Sequence, residues 1–165
     1  MKFEDIRENE DIFLDANIFI YHFGKLSLDC KSLLLRCSRR EINGYTSYPV
    51  IAETLHRLMI AEAVRKGCIS SKNPVKRLKA NPDFVMNLTG YNDDAASIAR
   101  MNITILGINQ RIMDTSAHIR TTEGLLTNDS LAAAVMKESG ISNFATNDDD
   151  FDHIGWLNVY KPSDL

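Results

Sequence analysis

Five short strand-like runs separated by helical stretches constrain this chain more than any other feature. They are Ile12–Leu14, Tyr45–Ser47, Ile103–Leu106, Asn143–Thr146 and Leu157–Tyr160. Helix-period segments stand between most of them. One follows Asn17, and one opens at Ser27-Leu28-Asp29 with Cys30, Leu33, Leu34 and Cys37 on one face and Arg39-Arg40 at its basic end. Asn43-Gly44 reads as a turn, and Pro49 suits the first turn of a long helix running to Lys66-Gly67. In that helix Val50, Ile51, Leu55, Leu58 and Met59 form the expected core stripe. A further helix covers Gln110 to Arg120, and Thr127-Asn128 reads as the cap of an alanine-rich helix from Asp129 to Glu138. Strands joined through helices pair in parallel with right-handed crossovers. The expected fold is therefore α/β, a three-layer α/β/α sandwich around a parallel sheet of about five strands.

Residues 68–101 are less regular, being broken by Asn73-Pro74, Asn81-Pro82 and Gly90, and read as a helical arm. A length of 165 residues suits one domain, 1–165, that includes this arm. Three cysteines without a C-x-x-C pair suggest neither a disulfide framework nor a zinc knuckle, so Cys30 and Cys37 are expected in the core. The opening Met1-Lys2-Phe3-Glu4-Asp5 is acidic where a signal peptide is basic, and no apolar run reaches membrane-span length. The expected location is the cytoplasm, with no membrane partner.

Against that frame, the carboxylates fall at telling places. Asp15 closes the first strand, Glu53 lies in the long helix opposite its apolar stripe, Asp129 opens the alanine-rich helix, and Asp148-Asp149-Asp150 follow the fourth strand. Each has a bland alternative. Asp15 and Asp129 could serve as helix-terminal acids, Glu53 could form a weak i,i+4 pair with Arg57 worth about 0.3 kcal/mol, and the triple aspartate could be a solvated turn. Together, however, they occupy strand ends and helix starts that converge on the carboxyl edge of a parallel sheet, where such folds place their sites. Clustered carboxylates repel, and oxygen-only ligands favour Mg²⁺ or Mn²⁺ over zinc. The four histidines lack metal-ligand spacing. Walker, G-x-G-x-x-G and G-x-S-x-G motifs are also missing, so P-loop, dinucleotide-binding and serine-hydrolase readings lack support.

The net charge of −3 argues against a passive nucleic-acid binder with a broad cationic surface. One run departs from it: Arg65, Lys66, Lys72, Lys76, Arg77 and Lys79 occur with no intervening acid. Taken alone this is a solvated helix face. Beside an acidic metal cluster, Lys76, Arg77 and Lys79 become candidates for gripping the backbone of a phosphodiester substrate.

Four pieces in order, Phe13-Leu14-Asp15-Ala16-Asn17, Val50-Ile51-Ala52-Glu53-Thr54-Leu55, Leu126-Thr127-Asn128-Asp129-Ser130-Leu131-Ala132-Ala133-Ala134 and Phe144-Ala145-Thr146-Asn147-Asp148-Asp149-Asp150-Phe151, give a sequence that resembles the PIN-domain ribonucleases, including the VapC-type toxins. The resemblance implies a metal-dependent endoribonuclease with Asp15, Glu53, Asp129 and Asp148 as catalytic metal ligands and Asn17 and Thr146 in support. Asp150 competes with Asp148 for the fourth place, and otherwise reads as a helix cap. It also implies an RNA substrate, Mg²⁺ or Mn²⁺, and an antitoxin partner if the chain is a toxin rather than an RNA-processing enzyme; a homodimer is the expected assembly. Two alternatives stand beside it. A catalytically silent PIN-like binding module would not need all four acids. A phosphatase of the haloacid dehalogenase type needs a second aspartate where Asn17 stands.

Overall fold

A computed structural model describes residues 1–165. Five strands, β1 (Asp11–Leu14), β2 (Asn43–Ser47), β3 (Thr104–Leu106), β4 (Asn143–Ala145) and β5 (Asn158–Tyr160), form one sheet in the order β3-β2-β1-β4-β5. All four pairings are parallel. Helices α1 (Ala16–Phe23) and α2 (Leu28–Ser38) link β1 to β2. Then α3 (Tyr48–Arg65), α4 (Pro74–Ala80), α5 (Pro82–Met86) and α6 (Gly90–Ile98) link β2 to β3. Finally α7 (Gln110–Glu123) and α8 (Thr127–Glu138) carry the chain back across the sheet to β4. That return reverses the winding, so right-handed crossovers put α7 and α8 on the face opposite α1 and α2. The expected three-layer parallel α/β architecture is what forms.

The reason is visible in β1. Ile12, Phe13 and Leu14 are all fully buried, as a central strand covered on both faces requires. Phe13, Phe144 and Phe151 continue this core as one tilted and one edge-to-face ring pair, with centroids 5.9 and 4.8 Å apart. Cys30 and Cys37 lie in the same core, and burial pushes their thiols up to about 11 and about 12.

The structure corrects several local expectations. Asn43-Gly44 is no turn but the start of β2, in register with Asp11 and Ile12. Gly44 allows it, because a Cβ there would lie 2.9 Å from the Cys37 sulfur and hold β2 away from α2. The core stripe of α3 is Val50, Thr54, Leu58, Glu62 and Ala63, whereas Ile51, Leu55 and Met59 are only partly covered. Two polar residues can occupy that stripe because both find partners. Thr54 donates to the Val50 carbonyl, and Glu62 accepts the α6 amides described below. Helix α8 starts at Thr127 with Leu126 as its cap residue, so Thr127-Asn128 lies inside the helix rather than capping it.

Helices α4–α6 pack on α3 around a small second core of Ala63, Ile69, Leu78 and Leu88. Glu62, only 2% exposed, clasps them. Its carboxylate accepts the amides of Thr89, Gly90 and Tyr91 at the start of α6, at 3.4, 3.3 and 2.9 Å, and pairs with Lys66 at 2.6 Å. Desolvation raises this carboxyl, but the bonds from Lys66, Tyr91 and Gly90 outweigh it and hold its pKa down at about 2.

Candidate active site

In the order β3-β2-β1-β4-β5, the chain leaves β1 toward β2 and returns from the other side at β4. The crevice between the carboxyl ends of β1 and β4 is thus a topological switch point, where open α/β sheets bind ligands. Asp15 stands at the end of β1 and is the N-cap of α1, with Oδ1 accepting the Ala16 amide at 2.7 Å. Its Oδ2 accepts from Thr146 Oγ1 at 2.7 Å and from Asn17 Nδ2 at 2.6 Å. Asn17 also donates to Thr146 Oγ1 at 3.0 Å, and its own Oδ1 accepts the Asn147 amide at 3.2 Å. These bonds tie the end of β1 to the end of β4 and fix the orientation of the Asp15 carboxylate. Asn17 and Thr146, which the resemblance names as supporting polar groups, both bond to Asp15 in the fold.

Burial pushes the Asp15 carboxyl up to about 6; the bonds from Thr146 and Ala16 pull the other way, and the charges of Glu53 and Asp148 add to the rise. Asp129, partly covered in the first turn of α8, is raised too, by burial and then by Asp148, Asp150 and Glu53. The chain thus brings Asp15, Glu53, Asp129, Asp148 and Asp150 into one electrostatic neighbourhood, although they come from four separate stretches. Glu53 is exposed and takes part in no ion pair, so its expected alternative partner Arg57 does not hold it.

The triple aspartate divides its work. Asp149 is bound by Lys161 at 2.6 Å, and Lys161 also holds Asp152 at 2.6 Å. Asp148 donates its amide to Thr146 Oγ1 at 3.1 Å, and its Oδ1 accepts the Asp150 amide at 2.9 Å. The cap of the short turn at Asp149–Phe151 is therefore Asp148, not Asp150, because Asp148 is the residue whose extended backbone precedes the turn. Asp150 is exposed, and its charge bears on Asp129. Asp148 bears on both Asp15 and Asp129. Lys161 escaped the sequence reading. The only signal for it was a lone cation just past the last strand, and its role as a clamp on the acidic turn needs the fold.

No three of these acids, with or without a histidine or cysteine, close tightly enough around one point to grip an ion as they stand. The donor set nevertheless fits a hard divalent cation. It is all oxygen, Asp15 and Asp129 are raised by burial and further by their neighbours' charge, and none of the four principal acids has a protein cation beside it to relieve the repulsion.

Lys76, Arg77 and Lys79 are exposed on α4, and none pairs with an acid. Helix α4 packs on α3, the helix that carries Glu53.

This fold, with acids from four stretches gathered at the switch point of a parallel sheet, is that of a PIN domain. The profile of the PIN domain family matches residues 12–157, and the chain belongs to that family. Ribonuclease VapC2 of Methanocaldococcus jannaschii is 29% identical over 155 residues, covering 93% of this chain and 95% of that protein. Among solved structures, a chain of VapBC2 from Rickettsia felis, bound to a DNA fragment from the promoter, superposes with a TM-score of 0.59 at 17% identity, covering 92% of this chain and 98% of that one. A chain of a toxin–antitoxin complex from Klebsiella pneumoniae gives a TM-score of 0.54 at 17% identity, covering 89% and 95%.

Proposed function

We propose that this protein is a metal-dependent endoribonuclease acting as the toxin of a toxin–antitoxin pair. The observation that carries the reading is the gathering of Asp15, Glu53, Asp129 and Asp148 at the switch point without a compensating cation. Its likeness in sequence to a VapC ribonuclease over nearly the whole length supports the same chemistry, and its likeness in fold to a toxin–antitoxin complex supports an antitoxin partner.

Asp15, Glu53, Asp129 and Asp148, with Asp150 at the rim, would hold Mg²⁺ or Mn²⁺, which supplies the Lewis acidity to activate a water and to steady the leaving oxygen of a phosphodiester. The chain's own residues do the positioning. Thr146 and Asn17 fix the Asp15 carboxylate in one rotamer, so its free lone pairs face a constant direction. Lys161 offsets one of the two negative charges of Asp149 and Asp152 and ties the acidic turn to the end of β5, which reduces the negative field a polyanionic substrate meets at the rim. Lys76, Arg77 and Lys79 offer phosphate contacts away from the cut.

The reading includes a homodimer, checked by sedimentation equilibrium, and action in the cytoplasm; no helix of the chain is long and apolar enough to cross a membrane. The deciding experiment is cleavage of total cellular RNA by purified protein. EDTA should abolish cutting, Mg²⁺ or Mn²⁺ should restore it, and undiminished cutting in EDTA would overturn the mechanism.

A further inference from the structure

Helices α3, α4 and α5 enclose an apolar hollow of about 400 Å³ that the acidic crevice does not use. Met59, Leu78 and Val85 form its floor, while Val75 and Met86 stand at its lip, 38% and 71% exposed. A second hollow, of about 570 Å³ and carrying Lys76 and Lys79, adjoins it, and Val75 and Lys79 line both. An apolar slot beside a cationic one is complementary to the two halves of a nucleotide, the base and its phosphate. The slot also leads toward the carboxylates. His56 lines it, one helical turn from Glu53, and Met59 follows about 9 Å along α3 from Glu53 at 1.5 Å per residue. His56 offers an aromatic face on which an unstacked base can lie.

We infer that this hollow is a base-binding subsite, which takes one splayed-out base of single-stranded or looped RNA while Lys79 and Lys76 hold the adjoining phosphate. The inference rests on the nuclease reading for its substrate class, and it adds to that reading a place outside the acidic cluster where one base is held. A duplex keeps its bases stacked and cannot fill the slot, so the subsite favours loops and single strands. The contact is apolar, so it contributes affinity without releasing counterions, whereas the lysines contribute the salt-dependent part.

The test is binding, read by fluorescence anisotropy in EDTA so that no RNA is cut. The probes are an unstructured RNA of about 12 nucleotides and a series carrying one abasic position at a time. For the wild-type chain, one abasic position should weaken binding about five- to tenfold. The double variant Val75→Ser/Met86→Ser, at two exposed positions, should melt as the wild type does. It should bind intact RNA five- to tenfold more weakly, lose the abasic penalty, and keep the salt slope. Equal binding of intact RNA by variant and wild type would overturn the inference and leave the hollow to an apolar-faced protein segment. A variant that weakens intact and abasic RNA equally would overturn it as well. A chain that shows this coupling yet cuts no RNA keeps the subsite and loses the nuclease reading; a chain that cuts RNA without the coupling does the reverse.

Discussion

Glu62 and the acids of the crevice are the same kind of group treated in opposite ways. Glu62 is sunk in the α3–α6 interface, receives three backbone amides and an ammonium, and is held at about 2. Asp15 and Asp129 receive no cation and are raised, first by burial and then by the neighbouring carboxylates, Asp15 to about 6 in spite of its three neutral donors. A buried acid that serves the fold is surrounded with donors, because an unpaired buried charge costs several kcal/mol. The crevice acids take part in no ion pair, and perturbed groups of that kind in a cleft are candidates for function. The contrast therefore supports the role proposed for these acids independently of the relatives.

The sharpest way to break it is Asp15→Asn and Asp129→Asn, which remove charge while keeping volume. Each should lower RNA cleavage about 100- to 1000-fold, the loss typical of removing one well-placed electrostatic group, with the circular dichroism spectrum unchanged. Near-normal turnover at limiting metal would return that residue to a helix-terminal role.

Stability should show the opposite pattern. Glu62→Gln should cost about 2–3 kcal/mol in urea unfolding at pH 7, because donors that met a full charge then meet a neutral amide. Metal-free Asp129→Asn should instead gain about 1 kcal/mol, a rise of about 2–4 °C in Tm, by relieving repulsion. The pH dependences follow from the shifts. The Glu62 pKa is lowered from 4.5, so its stabilisation is complete above pH 4.5 and fades as pH falls toward about 2. The Asp129 pKa is raised from 3.8, so its destabilisation is absent below that value and appears as pH rises past it. Melting curves of the two variants beside wild type from pH 3 to pH 7, about the range these values set, check both signs. Two gains or two losses at pH 7 would erase the comparison.

A finer cut lies within the triple aspartate. Asp148→Asn should weaken Mn²⁺ binding about tenfold and Asp150→Asn only about twofold, since Asp148 bears on both Asp15 and Asp129 while Asp150 bears on Asp129 from the exposed rim. Isothermal titration settles the order, and a larger loss at Asp150 reverses it. The smallest effect concerns the arm. Changing Lys76, Arg77 and Lys79 together to Ala should reduce the slope of log binding constant against log salt by up to about 2, at nearly 0.7 per single-strand phosphate contact, without touching metal affinity. An unchanged slope makes α4 a solvated face.

What could be read from the sequence follows from the range of the forces involved. The buried strand Ile12-Phe13-Leu14 and the acid that ends it are local patterns, and the sheet and its switch point follow from them by topology. The Asp15–Thr146 bond spans 131 positions; Asp15 stands out locally because it ends a buried strand, whereas Thr146 came into view only through the resemblance to a family. Glu62 was illegible. In α3 it reads as one more charge on a surface helix, and its partners at Thr89, Gly90 and Tyr91 belong to a segment whose prolines and asparagines announce turns but not where they pack. Gly44 failed for a related reason: Asn-Gly is a strong turn signal locally, and only the nearness of Cys37 in α2 shows why a glycine in a strand is needed there.

The crossing from β1 to β4 has a consequence for the life of the chain. The acids are dispersed from position 15 to position 148, and of the bonds that fix the first of them the one that crosses to another strand comes from Thr146. A ribosome that has made nine-tenths of such a polypeptide has not yet made its cleft, because the strand that completes it is still inside the exit tunnel or unsynthesised. Birth order thus delays the site: the carboxylates cannot come together until the last strands fold, and a product truncated within β4 lacks Asp148 altogether.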